Sequence, residues 1–292
     1  MAKVPSRSAL LARELLGRIA RGDLRPGDPI DLRELGRQHG VSRTVVREAL
    51  ADLGGKGLVV ARPKVGTTVA PLHQWQLLDP TFVAVAIDDR GSPAMRRDAL
   101  ALRRVVEPAM AAAAALDAST AARAEVLASV RALADAVGRR DREGIAAADT
   151  ALHEAIARAC PSHLLRSIDH ALVPVRTLNR AQLLAGSVPG AEPPAAVLHL
   201  LALQTRLAGA IARREDARAA HWAREIVAAA PLQAPPPARP AVAAGTPADP
   251  FDVTAPLDDD AVVWPATVTL APDTTPLAAP RRGHIEPAAA TH

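Results

Sequence analysis

Two arginines one helical turn apart are the first residues whose type and spacing predict a chemical role. Arg43 and Arg47 project from the same face of a predicted helix, and Ser42 before them is a typical N-cap residue. A short helix with one apolar side and paired guanidinium groups on the other suits the major groove of DNA. Taken alone, the pair also fits a solvated surface helix in which Arg47 pairs with Glu48 or Asp52.

Asp149 and His153 form a second informative pair, at positions i and i+4 of a predicted helix. Side chains at this spacing lie on one face and can bind one metal ion together. The same spacing is also that of an ordinary Asp–His hydrogen bond at a helix surface. The sequence has no convincing Ser/His/Asp order, no His-Glu-x-x-His motif and no Gly-rich phosphate loop, so nothing in it indicates a catalytic centre.

The elements around the arginine pair predict a small domain of helices followed by a hairpin. Apolar periodicity, caps and glycine breaks indicate helices at 8–21, 31–40 and 42–53 and strands at 58–61 and 66–70. Asp31 and Glu34 have the spacing of a capping box at the start of the second helix. Arg62 and Lys64 lie at the predicted hairpin tip, where they could reach a minor groove or phosphates. This order of elements predicts a winged helix-turn-helix.

The positive charge of the chain is concentrated in this predicted domain. Residues 1–72 hold 13 Lys and Arg against 7 Asp and Glu, a net of +6, whereas the rest of the chain sums to −2. A positive excess confined to a small domain is what binding to a phosphate backbone requires. Over the whole chain hydrophobic residues make up 49% and aromatic residues only 2%, so a core of Leu, Val, Ile and Ala is expected, which favours helices.

The N-terminal segment also carries a pattern of residues that is typical of one regulator family. The pattern consists of Gly22, Leu24, Pro26, Gly27 and Leu35, the runs 40–50 and 56–59, Gly66 and Val69. It resembles the GntR superfamily of bacterial transcription regulators. The resemblance implies that Arg33, Arg43, Thr44 and Arg47 contact operator DNA and that Gly66 approaches the groove. We add Ser42 at the helix start and Lys64 at the hairpin tip as DNA-binding candidates.

The chain from about residue 95 to 230 is predicted to be helical throughout. Segments with a 3.6-residue apolar period lie near 95–118, 119–138, 141–159, 162–184, 193–209 and 210–230. The motifs Arg103-x-x-Val106-Glu107-Pro108 and Asp149-x-x-Leu152-His153 resemble the opening and the acid–histidine motif of an FCD ligand-binding domain. That domain is the all-α module of the FadR subfamily, so an α-helical effector domain is expected here.

The FCD resemblance implies a metal site with four protein ligands. The third and fourth ligands in that family are histidines 22 residues apart, an interval that His199 and His221 match. With Asp149 and His153 they would bind a divalent ion such as Zn²⁺, Mn²⁺ or Ni²⁺. A small carboxylate effector, such as a sugar acid, would complete the shell with Arg103 as its bidentate clamp. Arg103 could instead pair with Glu107 within its own helix.

A second alignment of the last two helices is also possible. The pairs Ala210-Ile211 and Glu215-Asp216 match family features after a shift of five residues, which places Gln204 and Ile226 at the two ligand positions. A shift of five residues turns a side chain by about 140° around the helix, so only one alignment can hold. We prefer the histidine alignment because it places Gly209 at the family's interhelix glycine. The other alignment would leave Asp149 and His153 alone. A regulator with a metal-free pocket, for instance for an acyl-type effector, is a separate alternative.

These observations predict a mostly α protein with four segments. They are a winged helix-turn-helix at 1–72, a linker at 73–94, an all-α FCD-type domain at 95–230 and a disordered Pro/Ala-rich tail at 231–292, which holds 13 of the 26 prolines. A single cysteine, the absence of a signal-peptide pattern and the lack of an obvious membrane-spanning run favour the cytoplasm and no membrane. The predicted function is a ligand-responsive repressor that binds double-stranded operator DNA as a homodimer and is not an enzyme. A metal-dependent hydrolase is the less favoured alternative.

Overall fold

The computed structural model describes residues 5–64, 66–88, 91–185 and 190–229, so the predicted tail at 231–292 lies outside the described residues. The elements in chain order are α1 Arg7–Ala20, β1 Pro29–Ile30, α2 Leu32–His39, α3 Arg43–Gly55, β2 Val59–Arg62, β3 Gly66–Val69, α4 Pro80–Ala86, α5 Pro93–Asp117, α6 Thr120–Gly138, α7 Arg142–Ala159, α8 His163–Leu183, α9 Ala195–Ala212 and α10 Asp216–Ala229. A 3₁₀ turn, Leu72–Gln74, precedes α4. The fold is mostly α, as the sequence predicted, with a winged helix-turn-helix in front of a helical bundle.

Local signals fix the turn between α2 and α3. Gly40 ends α2 in the left-handed region with a φ of 60°, which a residue with a side chain adopts less readily. Ser42 then begins α3, because its hydroxyl oxygen accepts the backbone N–H of Val45 at 3.3 Å. Both were predicted from the sequence, and they set the direction in which α3 leaves the turn.

The start of α2 differs from its prediction in one detail. The Asp31 carboxylate accepts the backbone N–H groups of Arg33 and Glu34 and caps the helix as expected. The Glu34 carboxylate, however, accepts from the side chains of Arg37 and Gln38. The capping box is therefore only half formed, because charge-assisted pairing along the helix competes with the return to the Asp31 backbone.

The wing is an antiparallel hairpin of β2 and β3. Val59 lies opposite Val69, and Arg62 lies opposite Gly66, while β1 pairs with the other edge of β3. In the hairpin turn Lys64 has a φ of 64°. The sheet and α1 to α3 share one core of buried aliphatic side chains, among them Leu15, Leu16, Ile19, Val46, Leu53 and Leu58.

The segment predicted as a linker contains a packed helix. Phe82 and Val85 of α4 belong to the core of the winged helix-turn-helix, whereas Val83 and Ile87 pack with side chains of α5 and α8. Trp75 in front of α4 is buried, and its Nε1 donates to the carbonyl of Ala70 at 2.7 Å. Helix α4 is thus held on both sides by apolar contacts.

The end of α3 is tied directly to the start of α4. The Lys56 ammonium donates to the Asp79 carboxylate at 2.9 Å, and the other Asp79 oxygen caps α4 by accepting the N–H of Phe82. The chain passes so close to this point that a Cβ added to Gly57 would lie 1.9 Å from the carbonyl oxygen of Gln74. Gly57, with a φ of 71°, is required for that close approach.

Helices α5 to α10 form the bundle. The closest pairs are α6 with α7 and α10 with both α5 and α9, around a core rich in Ala, Leu, Ile and Val. Helix α9 is long and apolar enough to cross a membrane by length and composition, a feature that the sequence analysis overlooked. Since 44% of α9 is buried within the protein, a core helix explains the same composition.

The break between the last two helices lies later than predicted. The break was predicted at Gly209, but α9 continues through Gly209 to Ala212 and α10 begins at Asp216. The turn contains Arg214 with a φ of 63°, and the guanidinium of Arg214 donates to the carbonyl of Leu116 at the end of α5 at 2.7 Å. Arg214 and Leu116 are 98 residues apart in the sequence, so this turn is held by a long-range contact.

Candidate DNA interface and effector cavity

Helix α3 presents a polar side to solvent and an apolar side to the core. Arg43, Thr44 and Arg47 are exposed, as is the Ser42 cap. The opposite side is buried through Val46, Ala49, Leu50 and Leu53. The apolar side fixes the rotation of α3, so the two guanidinium groups point outward from the same face.

The exposed basic side chains of this region have no acidic partner. Within the described residues, Arg33, Arg43 and Arg47 make no ion pair and no side-chain hydrogen bond, although Arg37 nearby pairs with Glu34. The alternative in which Arg47 pairs with Glu48 or Asp52 is therefore not seen. Guanidinium groups left without partners are available for phosphates and base edges.

The wing adds two further basic side chains and a glycine. Arg62 and Lys64 are exposed at the tip of the hairpin, and Gly66, with a φ of 98°, begins β3. Val65, between Lys64 and Gly66, lies outside the described residues. The predicted DNA-binding residues thus lie on the exposed sides of α2, α3 and the wing.

A cavity lies inside the bundle and is lined by all six of its helices. It has about 60 Å³ of space that the centres of water molecules can reach, enough for a few waters or a small ligand. Its polar lining residues are Arg103, Asp149, His153, Arg176, Asn179, Arg180 and Gln204. Its remaining lining residues are aliphatic and come from α6 to α10: Leu133, Val137, Ile145, Leu183, Leu184, Val197, Leu200, Leu201 and Ile226.

Asp149 is the acceptor at the centre of the polar cluster. One of its oxygens accepts from Arg180 Nη1 at 2.8 Å, and the other accepts from the Gln204 amide at 2.7 Å. The Nε2 atom of His153 lies 3.8 Å from the second oxygen. Asp149 and His153 are thus neighbours on one face of α7, as predicted, but Arg180 and Gln204 already engage both carboxylate oxygens.

The surroundings move the pKa values of Asp149 and His153 to below their ordinary values. Burial would raise the pKa of Asp149, but His153, Arg180 and Gln204 outweigh it and lower the pKa. Burial lowers the pKa of His153, and the nearby Asp149 carboxylate offsets this only in part. At neutral pH the pair therefore consists of a carboxylate and a neutral imidazole.

A buried chain of ion pairs connects α5 with α8 next to this cluster. Arg103 donates to Glu107 at 2.6 Å and 3.2 Å, and Glu107 also lies 3.4 Å from Arg176, which in turn binds Asp169. Burial would raise the pKa of Glu107, but Arg103 and Arg176 outweigh it and hold the pKa at about 2. The intrahelical pair with Glu107, one of the two alternatives for Arg103, is therefore present.

Arg103 also keeps one donor unused. The side chain is 2% exposed and lines the cavity, and its Nη1 has no hydrogen-bond partner within the described part of the chain. A buried guanidinium donor without an acceptor is costly unless a bound group completes it. Arg103 thus pairs with Glu107 and still offers a donor to a ligand.

His199 and His221 do not join Asp149 and His153. Both side chains are exposed, and Gln204 and Ile226 line the cavity in their place. The second alignment is the one that the structure follows, because α9 runs through Gly209 and the break falls five to six residues later, at Arg214 and Glu215. The preference for the histidine alignment is corrected accordingly.

The residues present do not fit a divalent metal ion. No group of three or more His, Cys, Asp or Glu side chains with suitable geometry occurs within the described ranges. The Arg180 guanidinium stands against Asp149 where a metal ion would have to bind. Ile226 offers no donor atom, and a second cation beside Arg180 would be repelled.

Three lining residues of α8 were not predicted from the sequence: Arg176, Asn179 and Arg180. Arg176 and Arg180 are spaced by four residues in a segment that was predicted to be helical, so their shared face was recognisable. Nothing in the sequence alone indicated that this face meets Asp149 on α7.

A winged helix-turn-helix with an exposed basic recognition helix, joined to a helical bundle, defines the class of DNA-binding transcription regulators. Two family models match the chain, "Bacterial regulatory proteins, gntR family" at residues 8–69 and "FCD domain" at residues 98–229. The chain belongs to the GntR family and carries an FCD domain. The gntR family model and the relatives named below are described as regulatory proteins or transcriptional repressors.

Several curated proteins share part of the sequence. The chain is 39% identical over 103 residues to the Escherichia coli regulator YieP, 35% of this chain and 44% of that protein. It is 27% identical to the galactonate operon repressor of Escherichia coli, over 56% of this chain and 69% of that protein. It is 30% identical to a probable D-xylose utilization operon repressor of Paenarthrobacter nicotinovorans, over 55% of this chain and 62% of that protein. The chain thus spans less than half the length of the first of these relatives.

Two solved structures are similar over most of the chain. They are Escherichia coli McbR/YncC, with a TM-score of 0.41 and 20% identity, and Lar of Listeria monocytogenes, with a TM-score of 0.47 and 15% identity. Each match covers 77% of this chain and 95% of the other. TM-scores this low support no conclusion about this chain.

Proposed function

We propose that the protein is a homodimeric repressor that acts in the cytoplasm and leaves its operator when a small carboxylate enters the bundle cavity. The exposed arginines Arg33, Arg43 and Arg47, which have no acidic partner within the described residues, carry the DNA-binding part of the proposal. Two copies would place two α3 helices in successive major grooves of a pseudopalindromic site. Repressors among the similar proteins support the direction of regulation.

The cavity supports the effector part of the proposal. A carboxylate is the natural acceptor for the unused Nη1 of Arg103, since guanidinium and carboxylate groups form strong charge-assisted bonds. The effector binds through guanidinium groups in this proposal, because the donor set around Asp149 does not fit the divalent ion that the sequence analysis expected.

A continuous set of contacts supports communication between the cavity and the recognition helix. Arg176 and Arg180 of α8 line the cavity, and α8 packs against α4 through apolar side chains. Asp79 at the start of α4 is paired with Lys56 at the end of α3. An effector that binds more tightly to one of two placements of α8 would therefore also shift the placement of α3.

Operator binding tests the proposal. An operator is first selected from random duplexes with the full-length protein, and its affinity is then measured by fluorescence anisotropy. We expect Arg47→Ala and Arg43→Ala each to lower operator affinity about 10- to 100-fold, since one bidentate base contact contributes about 1–3 kcal/mol. Arg224→Ala, on an exposed side of α10, is the matched control and should bind normally.

Two results would contradict the proposal. Operator affinity that is unchanged in both α3 variants would show that α3 does not read the DNA. A mass of one chain on one operator, measured by light scattering, would exclude the homodimer.

A further inference from the structure

We infer that this FCD domain uses no metal ion and that its cavity instead takes a small monocarboxylate with an aliphatic body, held by Arg103. The inference rests on the proposed function, since it names the chemistry of the effector. It follows from three features of the cavity: the partners of Asp149, the unused donor of Arg103 and the aliphatic walls.

The first feature is the cation that already faces Asp149. Arg180 Nη1 lies 2.8 Å from one carboxylate oxygen and Gln204 Nε2 lies 2.7 Å from the other. These donors neutralise and satisfy the carboxylate that would otherwise be the anionic metal ligand. A divalent ion would have to displace a half-buried guanidinium and then remain next to it, which is strongly unfavourable in a site of low dielectric constant.

The second feature is the unused donor. Arg103 is held in place by its two bonds to Glu107, so its Nη1 is fixed before any ligand arrives. Arg103, Arg176 and Arg180 all line the same cavity. A carboxylate group could accept from Arg103 without any change in the ion pairs that hold the cluster together.

The third feature is the remainder of the wall. Apart from the polar cluster, the residues that line the cavity are Leu, Val and Ile, and none of the lining residues carries a hydroxyl group. A sugar acid has hydroxyl groups along its whole chain, and those that face the aliphatic part of the wall would lose their water without gaining a hydrogen-bond partner. An aliphatic chain gives up no hydrogen bonds to water when it packs against this wall. The wall therefore selects against polyhydroxylated acids and favours a short alkyl chain.

Binding of defined probes to the full-length protein tests the inference. The probes are pentanoate, its neutral amide pentanamide, and galactonate, each with EDTA or with added Zn²⁺, and the readout is the shift in thermal unfolding temperature. We expect pentanoate to raise the unfolding temperature equally with and without EDTA, and pentanamide and galactonate to leave it unchanged. Elemental analysis should find metal well below one equivalent per chain. One equivalent of metal, or a pentanoate shift that EDTA removes, would overturn the inference, and so would a galactonate shift larger than that of pentanoate.

Metal binding to designed variants provides a second measurement that does not depend on the effector. We expect Gln204→His with Ile226→His to bind Zn²⁺ poorly in equilibrium dialysis, and the further change Arg180→Ala to tighten Zn²⁺ binding at least about tenfold. Equal Zn²⁺ binding in the two variants would show that Arg180 does not take the place of a metal ion. His199→Ala is the control, and a change in its metal content would restore the histidine alignment.

Operator binding separates this inference from the proposed function. A protein that binds its operator but responds to none of the three probes keeps its function as a repressor and overturns only the assignment of the effector. A protein that does not bind DNA overturns the proposed function, whatever its cavity binds.

Discussion

The buried carboxylate of Glu107 should make the stability of this protein strongly dependent on acid. The pKa of Glu107 is about 2 in the folded protein, against an ordinary value of 4.5, because Arg103 and Arg176 outweigh the effect of burial. A difference of this size corresponds to about 3 kcal/mol of folding free energy at neutral pH. Because the folded-state pKa is the lower one, this contribution is complete above about pH 4.5 and disappears as the pH falls towards 2.

The variant Glu107→Gln tests this reasoning. Removal of the charge leaves Arg103 buried without its carboxylate, so we expect a loss of about 3–5 kcal/mol in the free energy of unfolding at pH 7. The pH dependence should also become flatter between about pH 4.5 and pH 2, by up to about 1.4 kcal/mol per pH unit. Urea unfolding followed by circular dichroism at a series of pH values measures both quantities.

A matched control separates the effect of Glu107 from general acid sensitivity. Glu154→Gln removes a carboxylate that is 63% exposed on α7 and lies 3.7 Å from Arg158. Exposed ion pairs contribute little, so this variant should keep the stability and the pH dependence of the wild type within about 0.5 kcal/mol. If Glu107→Gln had the same pH dependence as the wild type, the attribution of acid sensitivity to Glu107 would be refuted.

Three further predictions concern the core, the wing and the connection between α3 and α4. Leu152→Ala should lower the free energy of unfolding by about 2–5 kcal/mol in urea, because Leu152 is fully buried, whereas Leu164→Ala, at a site 79% exposed, should have almost no effect. Lys64→Ala should reduce the dependence of log affinity on log salt by about one unit in anisotropy titrations without changing the preferred operator, and a change of preference would show base readout instead. Gly57→Ala should lower the unfolding temperature clearly, because its Cβ would collide with the carbonyl of Gln74, and an unchanged temperature would refute that close contact.

The recognition helix shows how far local sequence could predict the site. The local signals here act over only a few neighbouring positions. Gly40 predicted the turn, Ser42 predicted the cap, and the pattern of apolar and basic residues predicted the exposed face of α3. The half-formed capping box shows the limit of such local prediction. The Asp31 backbone N–H and the side chains of Arg37 and Gln38 all lie within four residues of Glu34, and the sequence did not indicate which of them its carboxylate would bind.

The short helix inside the predicted linker was not recognised in the sequence, for a different reason. The segment 73–94 has few residues with a clear period, and its helix α4 is only seven residues long. Such a short helix is stabilised by its contacts on both sides rather than by its own propensity. Its Asp79 cap and its partner Lys56 are 23 residues apart, a pairing that the sequence does not reveal.

The sequence by itself determined the family, the winged helix-turn-helix and the exposed basic face of α3, because each depends on residue types and on spacings within one or two helical turns. Only the tertiary structure decided what surrounds Asp149. Each residue turns the helix by about 100°, so an error of a few residues in the break between α9 and α10 exchanges the buried and exposed faces. That break lies at Arg214, whose guanidinium donates to the carbonyl of Leu116 on α5. With the break at this position, Gln204 and Ile226 line the cavity, and His199 and His221 do not.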